Sequence, residues 1–208
     1  MVRDCGRHGE DHSKTLKWVG IVVGILIFLS IVVFIIVRFL VWCKNPIFIL
    51  QDISVYAFNV SLNPNLLTST FQVTVSSHNP NDNAGIYYDK LDIYAAYQSQ
   101  RITLGSSIPP TYQGDNKDDI WSPFIYGTSV PVAPFLALAL CQDQSVGSVL
   151  LTIKIDGRMR WKVGSVITGP YHLHADCLAT ITFGSGNTGI VVGDAVKYLL
   201  IQRCDVNV

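Results

Sequence analysis

The chain of 208 residues holds a single glutamate, Glu10, two methionines and five histidines, and only 14% of its residues are charged. Beyond residue 43 every acidic group is an aspartate, and twelve of them stand against ten lysines and arginines. That balance leaves no basic field for a nucleic-acid backbone, so no nucleic-acid partner is expected. The shortage of histidine narrows the chemistry further. His8 and His12 precede a long apolar run, which leaves His78, His172 and His174 for the rest of the chain, too few for a binuclear hydrolase centre. A G-x-S-x-G nucleophile elbow is absent, as are internal repeats and low-complexity segments.

What is present in quantity is hydrophobic sequence, concentrated in one place. From Trp18 to Val37 the chain reads WVGIVVGILIFLSIVVFIIV, twenty residues without a charge. As a helix they would extend about 30 Å, the thickness of a bilayer core. The run continues into RFLVWCKNP rather than into a small-residue cleavage site, so it reads as a retained signal anchor. Arg38 can snorkel to the interface, and Trp18 and Trp42 bracket the segment as interfacial aromatics do. Arg3, Arg7, Lys14 and Lys17 precede the run and only Arg38 and Lys44 closely follow it, which places the N-terminus in the cytosol. The expected organisation is a cytosolic tail over 1–17, a transmembrane helix over 18–42 and an extracytoplasmic domain over 43–208, with the lipid bilayer as first partner.

The domain alternates apolar and polar residues over strand lengths at 71–77, 91–97 and 149–156. NPNDNAG at 79–85, IPPTYQGDN at 108–116 and the pair Asp156-Gly157 read as turns, the last as a tight hairpin. APFLALALCQDQ at 133–144, with Pro134 at its start, predicts one short helix. Together these predict a mainly β fold, an antiparallel sandwich with a short helix.

Several motifs invite chemical readings. YHLHADC at 171–177 puts His172, His174 and Asp176 on one strand face, resembling the first ligands of a metallo-β-lactamase-like hydrolase. With three histidines in the domain that centre stays incomplete, and a solvated strand face accounts for the pattern, so no metal and no cofactor are expected. FGSGNTG carries Gly184, Gly186 and Gly189 in dinucleotide-loop spacing, but the nineteen residues that follow cannot hold a crossover helix and a parallel strand. NPNDNAG spaces Asn79, Asn81 and Asn83 like a calcium loop, yet Ala84 and Lys90 stand where glycine and glutamate are needed. Arg158, Arg160 and Lys162 share a strand face opposite Met159, Trp161 and Val163 and read as a solvated face rather than a phosphate or glycan site. Tyr87, Tyr88, Tyr94 and Tyr97 support either a lipid or glycan site or simple core packing. Asn59-Val60-Ser61 is the one glycosylation sequon, sixteen residues past Cys43 and by that count close to the membrane.

NPNDNAGIYYDKLDIYAAY, PPTYQGDN, DGRMRWKVG and YHLHADC, in this order behind an apolar span, resemble the plant harpin-induced and non-race-specific disease resistance family, whose outer part is a late embryogenesis abundant type 2 domain. The residues that carry the match include Asn79, Pro80, Asn81, Tyr87, Tyr88, Asp89, Tyr112, Gln113, Gly114, Trp161, Lys162, Val163 and Gly164. The resemblance implies an immunoglobulin or fibronectin-like sandwich and a plasma-membrane location that can include plasmodesmata. It also implies roles in defence and stress without catalytic residues. The domain is then expected to act as an adhesion or signalling adaptor toward wall components or other membrane proteins, with further copies of the chain as another partner. QRCDVNV ends the chain without a second hydrophobic tail, so retention is expected to rest on the single span. Cys177 shares a face with Tyr171, Leu173 and Ala175, and Cys204 lies in the last strand candidate. With both positions familiar from the resemblance, a Cys177–Cys204 bridge between two directly paired strands is expected, and Cys141 is left as a thiol.

Overall fold

The computed structural model describes residues 8–41, 43–184 and 188–208. Expectations that rest on Arg3, Arg7, Trp42 and Gly186, or on the side chains of Lys14 and Arg38, lie outside the described residues. Two compact units divide the chain, Met1–Cys43 and Lys44–Val208. In the first, helix α1 (His8–Val41) contains Leu16–Ile36, 21 residues long and apolar enough to cross a membrane. Trp18, Phe28 and Phe34 are exposed on different sides of it. A helix that is apolar all round has no single stripe to bury on a soluble core, which is the pattern of a span.

The second unit is an antiparallel two-sheet sandwich. Its first sheet runs β12 (Ile190–Val192), β13 (Ala195–Arg203), β1 (Ile47–Leu62), β2 (Asn65–His78), with β7 (Asp118–Trp121) and β8 (Phe124–Pro131) both paired to β2. Its second sheet runs β14 (Asp205–Asn207), β11 (Tyr171–Thr182), β9 (Ser148–Val163), β3 (Gly85–Tyr97). Short strands β4 (Gln100–Arg101), β5 (Ser106–Ile108) and β6 (Thr111–Gln113) pair with β3, and β10 (Val166–Ile167) with β9.

Strict alternation builds both inner faces. On β2, Leu67, Phe71, Val73 and Val75 are buried while Thr68, Thr70, Gln72, Thr74 and Ser76 point out. On β11, Leu173, Ala175, Cys177, Ala179 and Ile181 are buried. Phe48, Leu50, Ile53 and Phe71 of one sheet fill the interior against Ile86, Tyr88, Ile93, Ile155 and Met159 of the other. Each fully buried apolar side chain contributes about 1.5–3 kcal/mol. Helix α2 (Pro134–Val146) closes one end. Proline opens it and Gly147, left-handed at φ 102°, caps it by donating to the carbonyls of Asp143 and Gln144. Leu136, Ala137 and Leu140 turn inward, and the Tyr97 hydroxyl donates to Asp143 at 2.7 Å.

Three expectations are corrected here. Asp156 and Gly157 form no hairpin but sit inside β9 opposite Asp92 and Leu91, next to the bulge that β3 makes between Tyr88 and Lys90. A Cβ on Gly157 would collide with the Lys90 carbonyl oxygen, so this glycine serves a close approach of backbones rather than a turn. The segment at 108–116 is not all turn, because Thr111–Gln113 joins β3 as a strand. The terminal run does not pair with β11 as a whole: β13 pairs with β1 in the first sheet, and only Asp205–Asn207 reaches β11. Asn59 lies exposed on β1, twelve residues after Ile47.

Candidate functional site

The residues that carry the family resemblance divide into a buried knot and an outward charged face. The knot forms where the chain enters the sandwich. Asn81 accepts from the Lys44 amide at 2.7 Å and donates to the Lys44 carbonyl at 2.8 Å, while its amide nitrogen also reaches Asn79 Oδ1 at 2.9 Å. Asn79 in turn donates to the carbonyls of Ala84 and Gly114, and Gln113 to those of Ser77 and Lys117. Tyr88 donates to Gln113 Oε1 at 3.0 Å and lies 2.8 Å from Ser77 Oγ. Burial, only partly offset by the Ser77 contact and reinforced by Asp119, pushes the Tyr88 hydroxyl far above its ordinary range. Loop backbone that turns inward must find partners, and these amides supply them in place of a sheet ladder. Asn79, Asn81, Tyr88, Gln113 and Gly114 are therefore residues of architecture. The inward phase of β2, with Phe71, Val73 and Val75 followed by Ser77, was the signal that could have added Ser77 to this set.

The outward face of the second sheet collects Tyr87, Asp89, Tyr112 and Lys162. Tyr87 and Tyr112 rings lie 4.5 Å apart, with the Arg160 guanidinium 5.8 Å from the first and the Lys162 ammonium 5.3 Å from the second. Arg160 grips Asp89 through Nε at 2.8 Å and Nη2 at 2.6 Å. Tyr112 also lies across Gly85, where a Cβ would strike its ring. Trp161 turns inward, edge-on to Tyr171 at 4.7 Å, and its indole Nε1 has no hydrogen-bond partner among the described residues. Val163, Gly164 and the half-buried Pro80 stand at the turns of the same end, Gly164 at φ 59°.

Further along this face His174 Nδ1 lies 2.7 Å from Asp156 Oδ1, and the Tyr94 hydroxyl donates to Oδ2 of the same carboxylate at 2.6 Å. Lys154 binds Asp176 at 2.9 Å and Lys90 binds Asp92 at 2.6 Å. Burial raises the Asp156 carboxyl, but the Tyr94 and His174 hydrogen bonds and the His174 and Lys154 charges outweigh it and hold the group below the usual carboxylate range. Tyr94 is pushed up to about 12 by burial and by Asp156. Of the outward trio, His174 is thus engaged by Asp156 and Asp176 by Lys154, while the His172 ring stacks on that of His174 at 6.5 Å, and among the described residues no three His, Cys, Asp or Glu side chains are placed to hold a metal ion. The four tyrosines do not form one cluster: Tyr88 and Tyr97 are core residues at 1% and 2% exposure, and Tyr87 and Tyr94 face outward among charges.

Cys177 and Cys204 are joined by a disulfide. Because Cys204 stands between β13 and β14, the bond ties β11 at the point where the chain passes from one sheet to the other, and the Cys204 amide donates to the Phe48 carbonyl. Cys141 is a half-buried thiol in α2. Asn59 is exposed, opposite Thr68.

Several known proteins are similar to this chain in sequence. Residues 74–177 match the late embryogenesis abundant protein family. NDR1/HIN1-like protein 1 of Arabidopsis thaliana is 54% identical, with 100% of both chains covered. NDR1/HIN1-like protein 12 of the same plant is 52% identical over 99% of both chains, and NDR1/HIN1-like protein 26 is 39% identical over 72% of this chain and 73% of its own. A late embryogenesis abundant protein solved in solution aligns over 83% of this chain and 90% of its own at 16% identity and a TM-score of 0.36. The chain belongs to the NDR1/HIN1-like proteins, with a late embryogenesis abundant domain behind an apolar helix that can span a membrane.

Proposed function

We propose that the protein is a non-enzymatic, single-pass plasma-membrane protein of plant defence and stress responses. Its N-terminus is cytosolic and its sandwich extracellular, plasmodesmata included among its locations. The sandwich acts as an adhesion or signalling adaptor toward wall components or other membrane proteins. The observation that carries this reading is the Asn81 clamp on Lys44: folded structure begins three positions after α1 ends at Val41, so a rigid module follows an apolar span with almost no linker. Family membership supports the defence setting, and the basic residues ahead of the span support the orientation. The carboxylates Asp89, Asp92 and Asp176 each engage a single cation instead of converging on a reacting centre, which favours a binding role over catalysis. A protease applied to intact cells is expected to remove a C-terminal tag, and proximity labelling from that tag to recover wall and membrane neighbours. Protection of the tag until the cells are permeabilised would reverse the orientation and end the reading.

A further inference from the structure

The two outer faces of the sandwich differ in chemistry. That of the second sheet carries Asp89, Lys90, Asp92, Lys154, Asp156, Arg158, Arg160, Lys162 and Asp176. The outward row of β2 in the first sheet, by contrast, is Thr68, Thr70, Gln72, Thr74 and Ser76, without a charge. Beside this row stand three large rings that remain in solvent: Tyr56 on β1 at 43% exposure, and Phe124 and Tyr126 on β8 at 49% and 54%. Tyr56 and Phe124 meet across β2 at 5.5 Å between ring centroids, and the Tyr56 hydroxyl donates to Gln72 Oε1 at 3.3 Å. Tyr126 follows Phe124 at the next outward position of β8, about 7 Å along the strand.

The strand that presents these rings is fixed. Its next residue, Gly127, lies so close to the Ile102 carbonyl that a Cβ would collide with it, and the Leu104 amide donates to the Tyr126 carbonyl at 2.8 Å. The nearest charges on this side are neutralised as a pair, with Lys197 Nζ 3.1 Å from Asp52 Oδ2, while Asp52 Oδ1 accepts from the Thr74 hydroxyl. Rings exposed on a fixed strand, with the nearest charges paired and with hydroxyl and amide groups interleaved, match one kind of ligand. The apolar C–H faces of sugar rings stack on aromatic side chains, and their hydroxyls exchange hydrogen bonds with Thr, Ser and Gln. A lipid surface would instead call for basic residues beside apolar ones, and an acidic polymer for unpaired cations.

We propose that the outer face of the first sheet, centred on Tyr56, Phe124 and Tyr126, binds an uncharged polysaccharide. This names the wall component of the adhesion reading and rests on that reading for its cellular setting, while binding itself depends only on the face. The test uses the full chain in detergent micelles, run through gels holding soluble mixed-linkage β-glucan and pelleted with insoluble cellulose, with polygalacturonate as the charged comparison. Retention by the uncharged glucans, undiminished by added salt, is expected. Tyr56→Ala with Phe124→Ala should weaken it by about tenfold or more, as loss of stacking requires. Tyr126→Phe should retain binding and Tyr126→Thr reduce it, while circular dichroism confirms that each variant is folded. Failure of every uncharged glucan to retain the protein overturns the proposal, as does equal retention of the folded double variant. Salt-sensitive retention by polygalacturonate alone overturns it in favour of the charged face of the second sheet. Self-association lost in the same variants, without glucan binding, assigns the face to a second copy instead. Glucan retention in a protein whose C-terminal tag is protected from outside protease would leave this face standing and remove the adhesion reading, and the converse result would do the reverse.

Discussion

Lys44 and Asn81 hold each other through two hydrogen bonds, the backbone of one to the side-chain amide of the other, thirty-seven positions apart. An asparagine side chain here stands in for a neighbouring strand. Replacing Asn81 with Ala strips the Lys44 amide and carbonyl of their side-chain partner at once and leaves Asn79 Oδ1 only the backbone amide of residue 81. A loss of about 2–3 kcal/mol is expected in denaturant melts, with the first residues of the sandwich losing amide-exchange protection ahead of the rest.

Gly157 is predicted to be among the least replaceable residues of β9. Ala at this position drives a methyl into the Lys90 carbonyl and the Leu91 side chain, and backbone on both sides resists the shift. More than about 3 kcal/mol should be lost, or soluble protein not recovered. Gly169→Ala, where a Cβ meets nothing within 4 Å, is the matched control and should melt like the parent.

Reduction of Cys177–Cys204, or its replacement by Cys177→Ser with Cys204→Ser, opens a loop of 27 residues. Chain-entropy reasoning gives a cost of about 3.5 kcal/mol. Thermal melts with and without reductant should show that loss in the parent and no further effect of reductant in the double variant.

Two aspartates should respond to pH in opposite senses. Asp156 sits below the ordinary carboxylate range, so its contribution is complete above about pH 4 and is lost as pH falls through its lowered value. Asp156→Asn should therefore destabilise the protein at neutral pH and converge with the parent in acid. Asp119 is raised by burial and by the Asp118 charge, against Lys117, and its Oδ2 has no hydrogen-bond partner among the described residues. Its ionisation costs stability as pH rises from the ordinary carboxylate range through its raised value, so Asp119→Asn should gain stability at neutral pH and lose that gain in acid. Melting curves across pH 3–8 separate the two cases.

Ser69 offers a simpler gain. Its hydroxyl is buried on the inner face of β2 with no partner among the described residues. Ser69→Ala removes an unsatisfied polar group and should raise stability by about 1 kcal/mol in the same melts.

Much of the fold was legible because its signals are local. A long uncharged run, period-two alternation on β2 and β11, and a proline-opened helix are each written in neighbouring residues. What escaped depends on where distant strands meet. Asp156-Gly157 has turn chemistry, and only the bulge in β3 explains a glycine in mid-strand. The alternation that turned Cys177 inward could not say that Arg203 and Asp205 belong to different sheets. For the sites, the motif tyrosines and asparagines stood out through the family resemblance, but Asn79 and Asn81 satisfy buried backbone and Tyr88 is a core residue. Tyr56, Phe124 and Tyr126 come from separate segments and share a face only once β1, β2 and β8 are in register.

Because β1 begins at Ile47, three positions after the clamped Lys44, and carries Tyr56 in its outer half, it would also be a mechanical element. A pull between the span and a ligand seated on Tyr56 would run along β1, parallel to its axis. The strand is bonded on both edges, to β13 and to β2, in antiparallel registers. Tension directed this way shears many ladder hydrogen bonds together instead of unzipping them one at a time, so detachment of the ligand should precede rupture of the domain.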